Sequence, residues 1–337
     1  MLPINPMKCP LLFGQLAWAS FISLCLSSTT TWAGEENTEI LQVQLVQESN
    51  YIEGRVDDAP FFRYQVELLE PPEGVDPIYS GNGFIHQLRS PAGKLLTDTF
   101  PEQYWHHHGV YSSWTRATFL GERHDFWNKH RGTGTHGHLK VKQVEGDQFT
   151  VVRLMESYDL GPAIYEVWQV QVSSQAGMRI LDFSLEQTPA APAPKNKEPI
   201  ILNVYHYGGF AFRGPETWNP DDEAAFLGPM QIMTDTGITD ITVANHGRYR
   251  WVAAYGQVGD GHLAGVAYMG HPENVRAPQP VRIHPRIPYF TFAPVVVGDL
   301  EINLNSPYRA KYRIVTFDGE PDSEKLEQLF NVFVQDN

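Results

Sequence analysis

The sequence predicts an all-β protein, an antiparallel β-sandwich followed by one helix at its C-terminal end. Apolar and polar residues alternate at period two in one segment after another, which is typical of strands with one buried face. Glycine, proline, asparagine and aspartate separate these segments, as turns do in sandwiches and barrels. Helical periodicity is clear only near the C-terminus.

The alternation defines the predicted strands in chain order. In the first strand, Leu41, Val43 and Leu45 share one face. In the strand at 164–170, even-numbered residues such as Trp168 oppose odd-numbered residues such as Tyr165. The predicted strands are 41–45, 61–69, 149–157, 164–170, 178–187, 200–206, 251–255, 263–269, 300–304 and 310–317.

The C-terminal helix is predicted at 322–334. Four apolar residues recur there at helical spacing, and Asp322 or Ser323 supplies the N-cap. The segment 188–199 has four prolines and little apolar content, so it is predicted to be a loop. Because the strand pattern resumes unchanged beyond that loop, the sequence predicts one sandwich domain over 34–337.

Residues 1–33 have the layout of a secretory signal. Lys8 precedes an apolar run at 10–26, and a polar stretch then leads to Ala33, after which we expect cleavage. A membrane anchor is the alternative, but Gln15 interrupts a run that is shorter than the ~20 apolar residues needed to span a bilayer. We therefore expect an exported protein, periplasmic or extracellular.

Cysteine content and charge exclude several classes of function. Cys9 and Cys25 lie in the predicted signal, so the mature chain would have no disulfide and no thiolate nucleophile or metal ligand. The net charge of −14 and the lack of a basic run argue against nucleic acid. No transmembrane segment is predicted in the mature chain. The expected partner is a small-molecule or oligosaccharide ligand.

Histidines are concentrated in one part of the chain. Seven of the 13 fall within 106–138, a range that also contains Trp114 and Trp127 and follows directly on Trp105. Neutral imidazole acts as a metal ligand, a general acid or base, and a hydrogen-bond partner near neutral pH. In an exported protein, tryptophan beside histidine and carboxylate favours sugar recognition as readily as metal binding.

The triplet at 106–108 limits how its histidines can act. In an extended segment His106 and His108 point to one face and His107 to the other. Gly109 permits a sharp turn after them. His124 and Asp125 follow in the next hairpin and, with one histidine of the triplet, would form a divalent-metal site or an acid/base cluster. The alternative is that these histidines are structural.

Three further histidines, His130, His136 and His138, accompany a glycine-rich run at 131–135 that is predicted to be a loop. A second constellation follows at 204–213. There His206 stands beside two glycines where backbone can approach a ligand, and Arg213 can bind a carboxylate or hydroxyl. A plain β-bulge explains the same residues.

A third constellation begins where a predicted strand ends. His271 closes the strand, and Glu273, Asn274 and Arg282 provide an acid, an amide and a cation that can bind vicinal hydroxyl groups. A solvated loop is the alternative. The sequence contains neither the Gly-x-Ser-x-Gly motif of serine hydrolases nor the zinc-binding helix motif of two histidines around a glutamate.

Together the three constellations resemble an uncharacterised bacterial family labelled "methane oxygenase PmoA". The matching residues are His107-His108-x-Gly109, His124 to Trp127, Tyr207 to Arg213, Arg250-Trp251-Val252, His271-Pro272-x-Asn274 and Tyr312-Arg313. The resemblance covers nearly all of the mature chain. Members usually have Asp-His-Pro in the first motif, where this chain has Tyr104-Trp105-His106. A membrane oxygenase subunit needs several apolar spans that this sequence lacks, so we set the oxygenase label aside.

The chain also resembles galactose mutarotase-like super-sandwich proteins. That resemblance implies a concave sheet that binds a sugar, with histidine as acid and a carboxylate as base, although a fold does not fix a function. It nominates His108 and His206 as acid or orienting groups, and Glu273 or Asp125 as the base. The implied catalytic set is His108, His124, His206, Glu273 and Asp125, and the implied substrate-binding set is His107, Trp114, Trp127, Arg213, His271, Asn274 and Arg282.

The sequence therefore supports one leading hypothesis and two alternatives. The leading hypothesis is an exported carbohydrate-active protein that uses histidine and carboxylate, whether as an epimerase, a hydrolase or a lyase. We expect His108, His124 and His206 to converge on one aromatic-lined cleft. The alternatives are a non-catalytic sugar-binding or scaffold protein and a His/carboxylate metalloenzyme. No cofactor is predicted, although a divalent metal is possible.

Overall fold

The computed structural model describes residues 42–335. The predicted secretory signal, with Cys9 and Cys25, lies outside the described residues, as does Leu41. Within 42–335, no helix is both long enough and apolar enough to cross a membrane. The strands are β1 (Val43–Gln47), β2 (Tyr51–Val56), β3 (Ala59–Gln65), β4 (Ile85–His86), β5 (Val110–Ser113), β6 (Ala117–Phe119), β7 (Glu122–His124), β8 (Gly134–Glu145), β9 (Gln148–Ser157), β10 (Gly161–Gln175), β11 (Met178–Pro189), β12 (Ile200–Leu202), β13 (Gly209–Arg213), β14 (Gln231–Thr234), β15 (Trp251–Gln257), β16 (Leu263–Gly270), β17 (Val281–Ile283), β18 (Tyr289–Phe292), β19 (Leu300–Ile302) and β20 (Tyr308–Asp318).

These strands form three antiparallel sheets. The first has the order β1-β2-β3-β4-β5-β13-β18-β17, and the second has the order β14-β15-β16-β20-β11-β10-β9-β8. A small third sheet has the order β19-β12-β6-β7. Two α-helices accompany them, the single-turn α1 (Ile241–Ala244) and the C-terminal α2 (Ser323–Gln335). The predicted fold class, an antiparallel β-sandwich with a C-terminal helix, is confirmed.

The core lies between the two large sheets. Phe210 of the first sheet meets Phe183 and Tyr312 of the second, with ring centroids 5.0 and 4.6 Å apart. The C-terminal helix α2 packs on the other face of the second sheet, where Leu326 and Phe330 are buried in a cluster with Trp251. The helix forms there because its apolar residues recur on one face, which the sheet covers.

Most long strands agree with the sequence prediction, whereas the 12-residue β8 and several short strands were not predicted. β9, β11 and β20 fall where period-two alternation is strong. β5, β13 and β18 have buried residues on both faces, so their sequences do not alternate between apolar and polar. The predicted strand at 200–206 ends at Leu202.

The histidine-rich segment after Trp127 differs from the predicted loop. Lys129–Arg131 forms a short 3-10 helix, and β8 begins at Gly134. His136 and His138 therefore lie on a strand, and His136 is buried. Its Nδ1 bonds the Phe126 carbonyl oxygen at 2.8 Å. Glycines usually break strands, but here Gly134 packs so closely on Phe126 that a side chain would not fit.

A buried polar network joins the two large sheets. Glu166 on β10 pairs with Arg153 on β9 and accepts 2.7 Å hydrogen bonds from the Ser112 hydroxyl on β5 and the Gln187 amide on β11. Arg153 also donates to backbone carbonyls of the first sheet region, at Gly83 and Ser112. Since each charge has its partners, the pair is retained in the core.

Trp114 belongs to this network. The sequence places it among the substrate-binding residues, but its indole is 1% exposed, and its Nε1 donates to Gln187 Oε1 at 2.8 Å. Its ring packs edge-on against Tyr308 of the second sheet. Trp114 therefore stabilises the interior of the sandwich, because its side chain points to the same inward face as that of Val110 on β5.

Candidate functional site

Successive side chains on the central strands of the first sheet point to opposite faces of the sheet, and those on the outer face form a candidate site. Phe210 and Phe212 on β13 face the second sheet and belong to the core. Arg213 consequently faces the other way, as do Tyr111 on β5 and Tyr289 on β18. The register places Tyr111 opposite Ala211 and Tyr289 opposite Arg213, so the three side chains share one patch of that outer face.

Loops cover this patch and complete it with His107 and Trp127. The rings of His107 and Tyr289 stack at 5.0 Å, those of Tyr111 and Trp127 lie 4.7 Å apart, and Trp127 meets Tyr289 edge-on at 6.1 Å. All five side chains are buried. We call His107, Tyr111, Trp127, Arg213 and Tyr289 the histidine–aromatic cluster.

Two more histidines lie beneath one side of the cluster. His108 stacks on Phe84 at 4.4 Å, and His136 stacks on Tyr111 at 5.8 Å. His107 and His108 thus occupy different surroundings although they are neighbours in sequence. The segment is not extended as assumed from sequence, because the His107 N–H donates to the Tyr104 carbonyl at 2.8 Å and closes a turn.

A tight backbone arrangement holds the histidine triplet in place. Gly109 has φ of +37°, and a Cβ built on it would lie 2.2 Å from the Ile85 carbonyl oxygen. The Gly109 N–H donates to the Asp98 carbonyl at 2.8 Å, and its own carbonyl accepts from the Arg213 N–H at 2.7 Å. The Asp98 N–H completes the ring by donating to the Arg213 carbonyl at 3.3 Å.

This ring of backbone bonds brings Asp98 to the cluster. Its carboxylate Oδ2 lies 3.9 Å from Arg213 Nη2. Burial raises the pKa of Asp98 to about 6, against the opposing effects of the Arg213 charge and a hydrogen bond from the Thr99 N–H. A carboxyl group with a pKa near neutrality beside a cation is placed to accept and release a proton.

Asp98→Asn is expected to change how stability depends on pH. The pKa of Asp98 is about 6 in the folded state and close to the ordinary value of 3.8 in the unfolded state. Between about pH 4 and pH 6, therefore, only the folded state binds the proton. The stabilisation is complete below about pH 4 and is lost as the pH rises through about 6. Because asparagine does not titrate, the variant should gain about 2 to 3 kcal/mol relative to wild type over that range.

Urea unfolding of the two proteins at a series of pH values measures the difference in their free energies of unfolding. Because both proteins contain the same histidines, the titration of the histidines cancels in that difference. Asp159→Asn, at an exposed turn, is the matched control. A difference between wild type and Asp98→Asn that stays constant from acid to neutral pH would contradict the assignment.

The histidines of the site are neutral at physiological pH. Burial holds the pKa of His107, His108 and His136 well below the usual range, and neighbouring cationic groups lower it further. Burial also lowers the pKa of His106 to about 3. A neutral imidazole has one donor and one acceptor nitrogen, so each can bind a hydroxyl group in either direction.

Many polar atoms of the site have no hydrogen-bond partner among the described residues. They include Tyr111 Oη, Trp127 Nε1, His107 Nδ1 and all three guanidinium nitrogens of Arg213, and His108 contributes both of its ring nitrogens. Buried polar groups are normally satisfied, because each unmade bond costs about 1 to 3 kcal/mol. Their concentration in one place indicates a site that is completed by water or a ligand.

Half-buried residues form a rim around the cluster. His106 contacts His107 at 4.5 Å, Tyr207 contacts Trp127 at 5.5 Å, and the Arg213 guanidinium lies 5.7 Å from the centre of the Tyr104 ring. Arg282 and His284 complete the rim. Burial, and then the charge of Arg282, lower the pKa of His284 to about 4. Arg282 Nη1 is anchored by Asn245 Oδ1 at 3.0 Å.

Several predicted binding residues are brought together here. His107, Trp127 and Arg213 lie in the cluster, His108 beneath it, and Arg282 on its rim. His206 is exposed beyond the rim, where its ring contacts Tyr207 at 4.7 Å. These residues come from separate strands and loops, and the strand order β5-β13-β18-β17 makes them neighbours.

The expected convergence of His108, His124 and His206 is not found among residues 42–335. His124 lies on β7 of the small third sheet, packs against Phe119 and Phe126, and donates from Nδ1 to the Thr133 carbonyl at 3.2 Å. The three histidines have separate neighbours. A different sheet carries His124, which a hairpin argument from sequence did not foresee.

Asp125 has a structural arrangement rather than a free carboxylate. Its Oδ1 accepts from the Trp127 and Asn128 N–H groups at 3.0 and 2.8 Å, and its Oδ2 pairs with Arg131 at 3.0 Å. The Asn128 side chain then bonds both Asp125 and the Tyr207 hydroxyl. Asp125 thus holds the turn that presents Trp127 to the cluster.

The third constellation forms a separate group beside α2. Glu273 is exposed and pairs with Lys311 at 3.1 Å, while Asn274 exchanges hydrogen bonds with the Lys311 backbone at 2.7 and 2.8 Å. His271 packs against Phe333 of α2 at 5.2 Å. These residues anchor a loop to β20 because they follow β16 of the second sheet, whereas the cluster lies on strands of the first sheet.

Sequence reasoning missed Asp98, Tyr111 and Tyr289. The two tyrosines are recognisable in retrospect, since each stands out of phase with the inward residues of its strand. Asp98 lies in an irregular segment without periodicity, so no local signal marks it. Within the described range 42–335, no group of three or more histidine, cysteine, aspartate or glutamate side chains is placed to hold a metal ion. The possible divalent metal stays a prediction.

Comparison with known families identifies the chain. Residues 51–331 match the model described as "Family of unknown function (DUF6807)". The chain belongs to this family. The methane-oxygenase label is not shown by the match. No curated protein matches the sequence.

Comparison with solved structures gives three examples of chains similar to this DUF6807 member. A galactose mutarotase-related enzyme from Lactobacillus acidophilus has 8% identity and a TM-score of 0.34, over 81% of this chain and 97% of that one. A polysaccharide lyase has 12% identity and a TM-score of 0.37, over 83% and 33%. The GH36 alpha-galactosidase AgaA from Geobacillus stearothermophilus has 9% identity and a TM-score of 0.31, over 83% of this chain and 41% of that one.

The matched region therefore spans less than half of the lyase and of the alpha-galactosidase. The function of this chain has to be argued from the site itself.

Proposed function

We propose that this chain is an exported carbohydrate-active protein that binds a sugar at the histidine–aromatic cluster and acts on it by acid–base chemistry. One observation carries the proposal: the unpartnered hydrogen-bonding atoms of Tyr111, Trp127, His107 and Arg213 are concentrated against aromatic rings in one buried place. Export rests on the predicted signal at 1–33, outside the described residues.

The chemistry of these atoms matches a polyhydroxylated ligand. Arg213 and the Trp127 indole can only donate, the Tyr111 hydroxyl can donate and accept, and neutral His107 supplies an acceptor or a donor. Sugar hydroxyl groups do both, and the apolar face of a sugar ring packs on aromatic rings. The cluster thus combines directional polar contacts with apolar walls, as small-molecule sites do.

Proton transfer is assigned to Asp98. Its carboxyl group lies beside Arg213, and its pKa of about 6 allows both protonation states near neutral pH. Arg213 orients the carboxyl group and stabilises its charged form. His107, which is neutral and stacked on Tyr289, is the second group able to exchange a proton with a sugar hydroxyl.

Tyr111→Phe is expected to weaken sugar binding about 2- to 10-fold, the value of one neutral hydrogen bond. Stability should not fall, because the substitution removes only a buried hydroxyl without a partner. A thermal-shift screen of monosaccharides, glycans and keto-sugars, followed by calorimetric titration, measures the effect, since a ligand specific to the folded state raises apparent stability.

Tyr268→Phe is the matched control for that variant. Tyr268 is equally buried, and its hydroxyl also has no partner among the described residues, but it lies between the sheets. Sugar binding should be unchanged in this control. If no sugar stabilises the wild-type protein, or if both variants weaken binding equally, the proposed site is wrong.

A non-catalytic sugar-binding protein is the second candidate, favoured because the buried histidines stay neutral and can bind hydroxyl groups without a change of charge. Asp98→Asn distinguishes the two functions, because it preserves shape and removes only the titrating group. Turnover lost with binding retained supports the enzyme. Binding without turnover in both proteins supports the binding module.

A further inference from the structure

A cavity borders the site. It has a volume of about 260 Å³ and is lined by Lys129, His136, His138 and Glu156 among others. His136 connects it to the histidine–aromatic cluster, because the imidazole stacks on Tyr111 at 5.8 Å. The volume lies just below the range of about 300 to 1,000 Å³ found for small-molecule pockets, so it suits part of a ligand.

Lys129 is a buried cation without a carboxylate partner. Its side chain is 2% exposed, and its Nζ donates one hydrogen bond, at 2.8 Å, to the Ser80 carbonyl. Among residues 42–335, no carboxylate lies within ion-pair distance of it, although Glu156 lines the same cavity. An ammonium has three donors, so two remain available. Buried charges are normally paired, and this one is not.

Lys129 places a positive charge in the cavity. Burial and the charge of Arg153 lower the pKa of Lys129 to about 8, so the ammonium form persists at neutral pH. Glu166 neutralises Arg153 on the core side. An anionic group in the cavity would supply the missing counter-charge.

His136 lines the cavity, and the His108 imidazole approaches Lys129 beside Gly81. A Cβ on Gly81 would lie 3.0 Å from Lys129 Nζ and 3.1 Å from His108 Nε2, so both groups converge where Gly81 leaves room. His136 donates from Nδ1 to the Phe126 carbonyl, which leaves Nε2 as an acceptor without a partner among the described residues. The cavity therefore offers a cation for an anion and an acceptor for a hydroxyl group.

We propose that this cavity binds the carboxylate of an acidic sugar, with Lys129 pairing the carboxylate and His136 accepting a hydrogen bond from an adjacent hydroxyl. The proposal names the substrate class of the sugar site and rests on the proposed function. A carboxylate paired with a buried ammonium forms a charge-assisted hydrogen bond, which is stronger than a neutral one.

Lys129→Met tests this assignment with four probes: glucuronate, glucose, acetate and sulfate, at neutral pH and constant ionic strength. Calorimetric titration of wild type should give glucuronate about 10- to 100-fold tighter binding than glucose, as expected for a hydrogen bond to a charged group. Lys129→Met should remove that preference. The fold should persist, because the variant replaces an unpaired buried charge with an apolar side chain of similar length.

Lys140→Met is the matched control, since Lys140 is exposed on the neighbouring strand β8 and should leave binding unchanged. Gly81→Ala is a second variant, which keeps the charge but crowds Lys129 and His108, and it should also remove the preference. It keeps the test decisive if Lys129→Met does not fold.

The outcomes separate this proposal from the one on which it rests. Equal binding of glucose and glucuronate, unaffected by Lys129→Met, overturns the acidic-sugar assignment and leaves the sugar site intact. Stabilisation by acetate or sulfate without any sugar binding overturns both sugar proposals and identifies a simple anion site. A covalent adduct on Lys129 after borohydride treatment with glucose would overturn the ion pair in favour of an imine.

Discussion

Glu166→Gln is expected to destabilise the protein by about 3 to 5 kcal/mol, because it leaves Arg153 as an unpaired charge in the core. Both side chains are essentially inaccessible, at 0% and 1%. The glutamine can still contact Ser112 and Gln187. The loss of stability therefore reports the removal of the negative charge alone. Because the network joins the two large sheets, the whole sandwich should unfold in one transition at lower denaturant concentration.

Denaturant unfolding followed by tryptophan fluorescence measures this loss. Glu186→Gln is the matched control, since Glu186 pairs with Arg309 at 2.7 Å on the surface, where the two side chains are 44% and 66% exposed. The control should cost at most about 1 kcal/mol. A double variant, Arg153→Met with Glu166→Gln, should recover much of the loss, because no unpaired charge remains. Equal effects in the two single variants would contradict a structural role for the buried pair.

Gly109→Ala is expected to destabilise the protein by about 3 kcal/mol or more, through strain at positive φ and overpacking together. The added methyl group would lie 2.2 Å from the Ile85 carbonyl oxygen, which belongs to rigid backbone. Relief of that contact requires β5 and β4 to separate, or the backbone ring through Asp98 and Arg213 to open. Either movement displaces His107 and His108.

Gly121→Ala controls for the backbone conformation alone. Gly121 has φ of +81° in the turn between β6 and β7, and nothing lies within 4 Å of a Cβ there. Its alanine variant should cost about 1 to 2 kcal/mol. Unfolding curves give both values, and sugar titration of the folded Gly109→Ala protein should show weakened binding. If the two glycine variants cost the same, close packing at Gly109 is not what positions the triplet.

The sequence predicted the site in part, and the reasons are specific to each residue. His107, Trp127 and Arg213 were found because unusual residue types stand beside glycine or in a dense histidine segment. Trp114 met the same criteria but lies in the core, since residue type does not reveal which face of a strand is buried. Asp98 was not found, because an aspartate in an irregular segment has no local pattern.

Alternation in the sequence determined which side chains share a face. Period two is a local property of extended backbone, so it predicted the fold class and strands such as β9, β11 and β20. The C-terminal helix followed for the same reason, with its apolar residues at a period near 3.6.

Only the tertiary structure decided which residues meet across the chain. The order β5-β13-β18 places Tyr111, Arg213 and Tyr289 together although long stretches of sequence separate them. Strand order depends on packing over the whole molecule, and so do the burial of Lys129 and the pairing of Asp98 with Arg213. Burial and distance set the pKa of a carboxyl group and leave a cation unpaired, and neither quantity is encoded in neighbouring residues.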